Sequence, residues 1–222
     1  MGRFWVKVIK PVIRYDLTGA YTHYMPGDWF ECKNQELAEL LLHGKVETSP
    51  LDIRANFEGK DAGVLVVGSS LPNTKFSEFG LETRLSKTVE LPWERTVLWF
   101  GRSRLTVEAA ALGLLRVDAD DPDAAWAMAA MLDKKSRIAR DIGSDADRET
   151  TLEALGDLRL PVYETGIIWV RRTDTTKEVI RLWQEEVAAG AEPRHAFLRT
   201  IYARRVMLCT LPANWIGQWM RG

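Results

Sequence analysis

The stretch LPVYETGIIWVRRT, Leu160 to Thr173, decides how the rest of the chain is read. A Thr165-Gly166 turn is set against the apolar, β-branched and aromatic run Ile167 to Val170, and the run ends abruptly in Arg171 and Arg172. Four such residues without polar alternation suit a strand buried on both faces. That places the strand inside an α/β sheet, its leading turn at the sheet's mouth and its arginines where the chain leaves the core.

The segments around it alternate in the same sense. AGVLVVGSS, 62–70, is a second buried-strand run closing on Gly68 and two serines, and Thr96 to Phe100 a third. The glycine-serine close lacks the spaced glycines of a dinucleotide site and the lysine of a phosphate loop, so it reads as a strand-ending turn. DTTKEVIRLWQEEVAAG, 174–190, sets Val179, Ile180, Trp183 and Val187 on one helical face. PRHAFLRTIYARR gives a last helix and VMLCTLP a last strand. DDPDAAWAMAAMLDKKSRIARDIG, 121–143, reads as a helix with Asp121 as cap, Pro122 at the first position and Gly143 past the end. RETTLEALGDLRLP reads as a shorter helix or loop. Strands alternating with helices predict an α/β domain over 62–222.

Residues 1–50 read differently. RFWVKVIKPVIRY is an extended run with Pro11 at an edge or bend, and Thr18-Gly19 and Pro26-Gly27-Asp28 supply turns, predicting two short strands and a hairpin. KNQELAELLLHGKVE predicts a helix capped by Asn34, with Leu37, Leu40 and Leu41 inward and Gly44 at its end. So small a module must lean on the rest of the chain or on another subunit. The polar, turn-rich SPLDIRANFEGKD separates it from the larger domain.

Composition narrows the function classes. A net charge of −1 gives no overall basic field, which argues against nucleic acid or an anionic membrane as partner. Cys32 and Cys209 lie far apart in apolar or mixed runs, as reduced structural thiols do. No run reaches the roughly 20 apolar residues of a membrane span, and the start lacks a signal peptide's apolar block. The 9 Trp are spread along the chain, which suits interfaces or ligand platforms.

PGDWFECKNQELAELLLHGKVE, with the arm before it, resembles the small N-terminal modules of tailed-phage head, neck and tail proteins. From about residue 62 onward, LPWERTVLWF, then YETGIIWVRRT with EVIRLWQEEV, then RHAFLRTIYARRVMLCTLPANW, resemble in order the strands and helices of a nucleotide-sugar glycosyltransferase of the GT-A fold. The resemblance implies a mixed sheet with flanking helices, a metal site after RTVLW, and a Thr-Gly turn that faces the sugar.

Its chemistry then departs from that pattern. Such enzymes grip a divalent cation with an Asp-x-Asp pair, because a leaving nucleotide diphosphate develops charge that a hard cation neutralises. Here the position reads Phe100-Gly101-Arg102, and a guanidinium opposes a cation while favouring a phosphate. Asp118 and Asp120, beside Asp121 after the apolar run Leu112 to Val117, supply a metal pair in a shifted register, or else solvated carboxylates near a helix that Asp121 caps. Arg194-His195 stands where the family has an Asp-Gln pair, and Glu164 where it often has Asn. His23, His43 and His195 have no metal-site spacing and read as surface or partly buried histidines. The pairs Arg171-Arg172 and Arg204-Arg205 read as solvated charges, or as contacts to phosphate or an acidic partner.

These readings imply a non-catalytic structural or assembly protein of a tailed-phage virion, assembled in the host cytoplasm. It would have no cofactor, and its partners would be other virion proteins and further copies of itself. The alternative is a metal-dependent glycosyltransferase with a nucleotide-sugar donor, in which Asp118 and Asp120 hold Mn²⁺ or Mg²⁺ and Glu164 contacts a sugar. A third reading is a nucleotide- or glycan-binding module without turnover.

Overall fold

The computed structural model describes residues 3–16, 18–48, 50–101, 105–117, 126–129, 143–156, 163, 165–206 and 208–211. Five strands, β1 (Arg3–Val8), β2 (Val12–Tyr15), β3 (Tyr21–Tyr24), β4 (Trp29–Lys33) and β5 (Val46–Glu47), surround helix α1 (Asn34–Leu42). A short helix α2 (Pro50–Ala55) leads into β6 (Ala62–Val67), a 3-10 turn at Phe76–Phe79, β7 (Glu82–Ser86), β8 (Arg95–Phe100) and α3 (Val107–Val117). Then come β9 (Trp126–Ala129), α4 (Asp145–Leu155), β10 (Ile167–Arg171), α5 (Asp174–Ala188), α6 (Pro193–Ala203) and β11 (Cys209–Leu211). The protein is mixed α/β, and no helix among the described residues is long and apolar enough to cross a membrane.

Six strands form the central sheet in the order β11-β9-β10-β8-β6-β7. β7, β6 and β8 are parallel, as are β9 and β11, while β10 runs against both of its neighbours. Ile167 to Val170 are each buried, because the sheet is covered on both sides. Ile167 and Trp169 point with Val64, Val66, Val97 and Trp99 toward α3, whereas Ile168 and Val170 point with Leu65 and Leu98 toward α5 and α6. Trp169 is held most specifically. Its indole N–H donates to the Ala110 carbonyl at 3.1 Å, and the ring lies so close to α3 that a Cβ on Gly113 would overlap it.

The second face is closed by α5. Thr173 and Thr176 form a reciprocal capping box at its start, with the Thr176 N–H donating to the Thr173 hydroxyl at 3.1 Å and the Thr173 N–H to the Thr176 hydroxyl at 2.7 Å. Val179, Ile180 and Trp183 face inward. Outside, Arg181 pairs with Glu178 at 2.8 Å and Glu185 at 2.5 Å, one helical turn away on either side.

The first fifty residues build a ribbon where two short strands and one hairpin were expected. β1 pairs with β4 and β2 with β3, both antiparallel, and paired residue numbers add to 36 in both ladders: Trp5 faces Glu31 and Ile13 faces His23. The two ladders are therefore one ribbon in a single register, interrupted at the bend that carries Pro11 and Gly27, the latter at φ +101°. Even-numbered residues turn inward: Val6, Val8, Val12, Phe30 and Cys32 are buried and join Leu37, Leu40 and the α3 side chains in one core. Arg14 on the same face lies 4.7 Å over the Phe30 ring, grips Glu36 at 2.6 Å and donates to the Glu31 carbonyl at 3.1 Å, folding the ribbon tip back. Burial pushes the Cys32 thiol up to about 12.

Several local expectations give way to tertiary pairing. The expected helix over 121–143 contains β9, a strand between β10 and β11. Ala and Met favour helix only weakly, and two sheet neighbours outweigh that preference; Asp121 and Pro122 lie outside the described residues. Lys33, not Asn34, precedes α1 as its cap, without a side-chain cap bond. The polar stretch after residue 48 holds α2, whose Ile53 is buried together with the following Phe57. β7 is an outer strand with mostly exposed residues, of which only Leu85 is apolar, so its sequence shows no apolar alternation.

Candidate functional site

In open α/β sheets ligands bind at the carboxyl ends of strands where the strand order reverses. Here the order reverses between β6 and β8, because β7 lies on one side of β6 and β8 on the other. Antiparallel β10 brings its leading turn to the same edge: Ile167 lies opposite Trp99, and the Phe100 N–H donates to the Gly166 carbonyl at 3.0 Å. The Thr165-Gly166 turn thus stands beside the end of β8.

A cleft of about 600 Å³ opens there, between this edge, the end of α5 and the start of α6. Phe100, Trp183, Val89 and Val187 supply apolar wall, Thr165 and Gly166 a polar edge, Lys87 and Arg194 two cations, and Glu192 a carboxylate. The aromatic wall is fixed. Phe100 and Trp183 meet edge-on at 5.8 Å, Trp183 and Phe197 at 5.2 Å, and the Trp183 indole N–H donates to the Pro193 carbonyl at 2.8 Å. Gln184 ties the 87–91 segment down through a 3.0 Å bond to the Val89 carbonyl. Such a pocket suits an apolar or ring-shaped body with polar groups at its charged rim.

From the cleft wall inward, the start of α6 carries a charge network. The Glu192 carboxylate caps the helix, accepting from the N–H groups of Arg194 at 2.9 Å and His195 at 3.0 Å. His195 is 0% exposed, and its Nδ1–H donates to Asp147 at 2.6 Å. Arg199, also buried, donates to Asp147 at 3.2 Å, to Thr151 at 2.6 Å and to Glu186 at 2.7 Å. One ligand atom each from Asp147, Glu192 and His195 lies within 4.8 Å of the others, which is the spacing of a cation site. The chemistry does not fit a cation: Arg199 already neutralises Asp147, His195 is hydrogen-bonded to it, and Glu192 is committed to the helix. The bonds of Asp147 to His195 and Arg199 tie α4 to α6.

Of the residues expected at a site, Asp118, Asp120, Glu164 and Arg102 lie outside the described residues. Phe100 and Gly101 stand at the end of β8 as expected. His195 is not a surface or partly buried histidine but a fully buried one, because Asp147, 48 residues away, supplies its partner. Arg171 and Arg172 leave at the opposite end of β10 from the cleft. Arg172 is not simply solvated: it donates to the carbonyls of Leu91 at 3.3 Å and Pro92 at 3.0 Å and to Asp61 at 3.2 Å, clamping the edge of the domain. Arg204 pairs with Glu178 at 3.1 Å. The site residues that sequence reading missed are Lys87, Asp147, Trp183 and Arg199, and of these only Trp183, on the apolar face of its helix, left a periodic signal. No protein-family model, curated protein or solved structure matches this chain.

Proposed function

We propose that this chain is a non-catalytic assembly protein of a tailed-phage particle, built on a degenerate glycosyltransferase-like domain, that makes its contacts through the N-terminal ribbon. The observation that carries the reading is the ribbon's outer face, where Trp5, Tyr15, Tyr21 and Trp29 are 62%, 72%, 62% and 58% exposed. A patch of large aromatic side chains marks a surface that another macromolecule covers. The cleft adds support. Phe100 and Gly101 offer no metal ligand where the family reading puts the cation, and His195 is turned inward to Asp147 instead of offering a sugar the amide of the family's Asp-Gln pair. Other particle proteins and further copies of the chain are the partners.

One feature favours a second reading, an active metal-dependent glycosyltransferase: a preformed cleft at the carboxyl edge of a mixed sheet, with the Thr165-Gly166 turn at its rim. In that reading Asp118 and Asp120 would hold Mn²⁺ or Mg²⁺, which would neutralise a leaving diphosphate, and Glu164 would contact a sugar hydroxyl. Titration calorimetry with a panel of nucleotide sugars, with and without Mn²⁺, separates the two. The assembly reading expects no metal-dependent binding. Metal-dependent binding that Asp118→Asn abolishes would overturn it.

A further inference from the structure

The single register of the ribbon has a consequence for its outer surface. Because both ladders share it, side-chain parity carries across the bend, and every large exposed apolar residue of the ribbon is odd-numbered. Trp5 and Trp29 are diagonal neighbours on the first ladder, since Trp5 faces Glu31 and Lys7 faces Trp29. Ile13, Tyr15 and Tyr21 occupy the second ladder, where the Tyr15 and Tyr21 rings stand 6.1 Å apart, and Tyr21 meets His23 edge-on at 5.2 Å. Ile9 and Met25 continue the face through the bend, 46% and 55% exposed. The inward face is the one the core uses, so this outer face is left over by folding.

Its size and charge argue for one occupant. With whole aromatic side chains at about 150–250 Å² each, these residues expose on the order of 700 Å² of apolar-rich surface. That exceeds the ~300–600 Å² of a typical monomer's largest patch and approaches the ~800 Å² each partner contributes to a standard interface. The face carries both signs of charge: Arg3, Lys7 and Lys33 share its register positions with Glu31 and Glu47, and Lys7 pairs with Glu47 at 3.2 Å. With both signs on one face, a two-fold axis can set the cations of one copy against the carboxylates of the other. A nucleic acid or anionic membrane would require a basic face.

We infer that the chain forms a two-fold dimer through the odd-numbered face of its N-terminal ribbon, burying the Trp5, Trp29, Tyr15 and Tyr21 side chains of both copies. The inference rests on the assembly reading and names one of its partners, a second copy of the chain.

Sedimentation velocity of the purified full-length chain from about 1 to 100 μM, a range that brackets dissociation constants typical of weak to moderate interfaces, tests it. The expected result is a species of twice 25.2 kDa, returned to the monomer by Trp29→Glu and by Tyr15→Glu with Tyr21→Glu, with far-UV circular dichroism unchanged because these side chains are exposed. A monomer at the highest concentration overturns the inference, and so does a dimer that persists in both variants. Metal-dependent nucleotide-sugar binding by the same preparation would sink the assembly reading, while the sedimentation result would still decide the dimer.

Discussion

The His195 imidazole and the Asp147 carboxylate meet at 2.6 Å although they stand 48 positions apart in the chain, one on α6 and the other on α4. Arg199 extends the contact to Glu186 on α5, so three helices share one charge network. Removing the Asp147 charge takes the carboxylate from buried His195 and leaves Arg199 with Glu186 as its acid.

Asp147→Asn keeps the shape of that side chain and deletes its charge. Breaking a buried pair on one side costs about 3 kcal/mol or more, which corresponds to a midpoint lowered by roughly 6–12 °C for a chain of this size. Thermal unfolding followed by circular dichroism reads the effect. A midpoint within about 2 °C of wild type, the shift expected from under 1 kcal/mol, would mean that the network contributes little.

Gly113→Ala sets two effects against each other. Alanine gains about 1 kcal/mol over glycine inside a helix, but its Cβ overlaps the Trp169 indole, and overpacking costs about 1–3 kcal/mol. The overlap should win, because Trp169 is 0% exposed and tethered to Ala110. Urea unfolding is expected to show net destabilisation, relieved when the same change is made in a Trp169→Phe background. Equal effects in both backgrounds would show that the two sites are not coupled.

Burial, with the charge of Glu36 adding to it, lifts Cys32 from an ordinary 9.0 to about 12. A raised pKa means that the folded state favours the protonated thiol. Its contribution to stability is fully present below the unfolded value and is lost as pH rises from about 9 toward 12. At pH 8 the thiolate is roughly a thousandfold scarcer than in the unfolded chain. In a Cys209→Ser variant, iodoacetamide labelling followed by mass spectrometry is expected to be slow for the native protein and rapid in denaturant. Rapid labelling of the native form would contradict this placement of Cys32.

The strands at 62–67, 96–100 and 167–170 could be read directly, because a strand covered on both faces is apolar at nearly every position and shows it locally. Helix α5 was equally plain, since Val179, Ile180 and Trp183 repeat at helical spacing. β9 was not. Its Ala and Met residues carry a helical preference, and only β10 and β11 on either side impose an extended backbone. Nor was the pairing of His195 with Asp147, since neither residue stands in a motif with the other.

By itself, the sequence determined where apolar runs and turn residues fall, and hence an α/β protein with a Thr-Gly turn before a buried strand. The tertiary structure alone decided that this turn lies beside the end of β8, that Arg172 clamps the far end of the strand, and that Trp5, Tyr15, Tyr21 and Trp29 share one outward face. The reason is physical: burial and backbone preference are local and repeat with a short period, whereas register, strand order and buried charge pairs join residues that the chain keeps far apart.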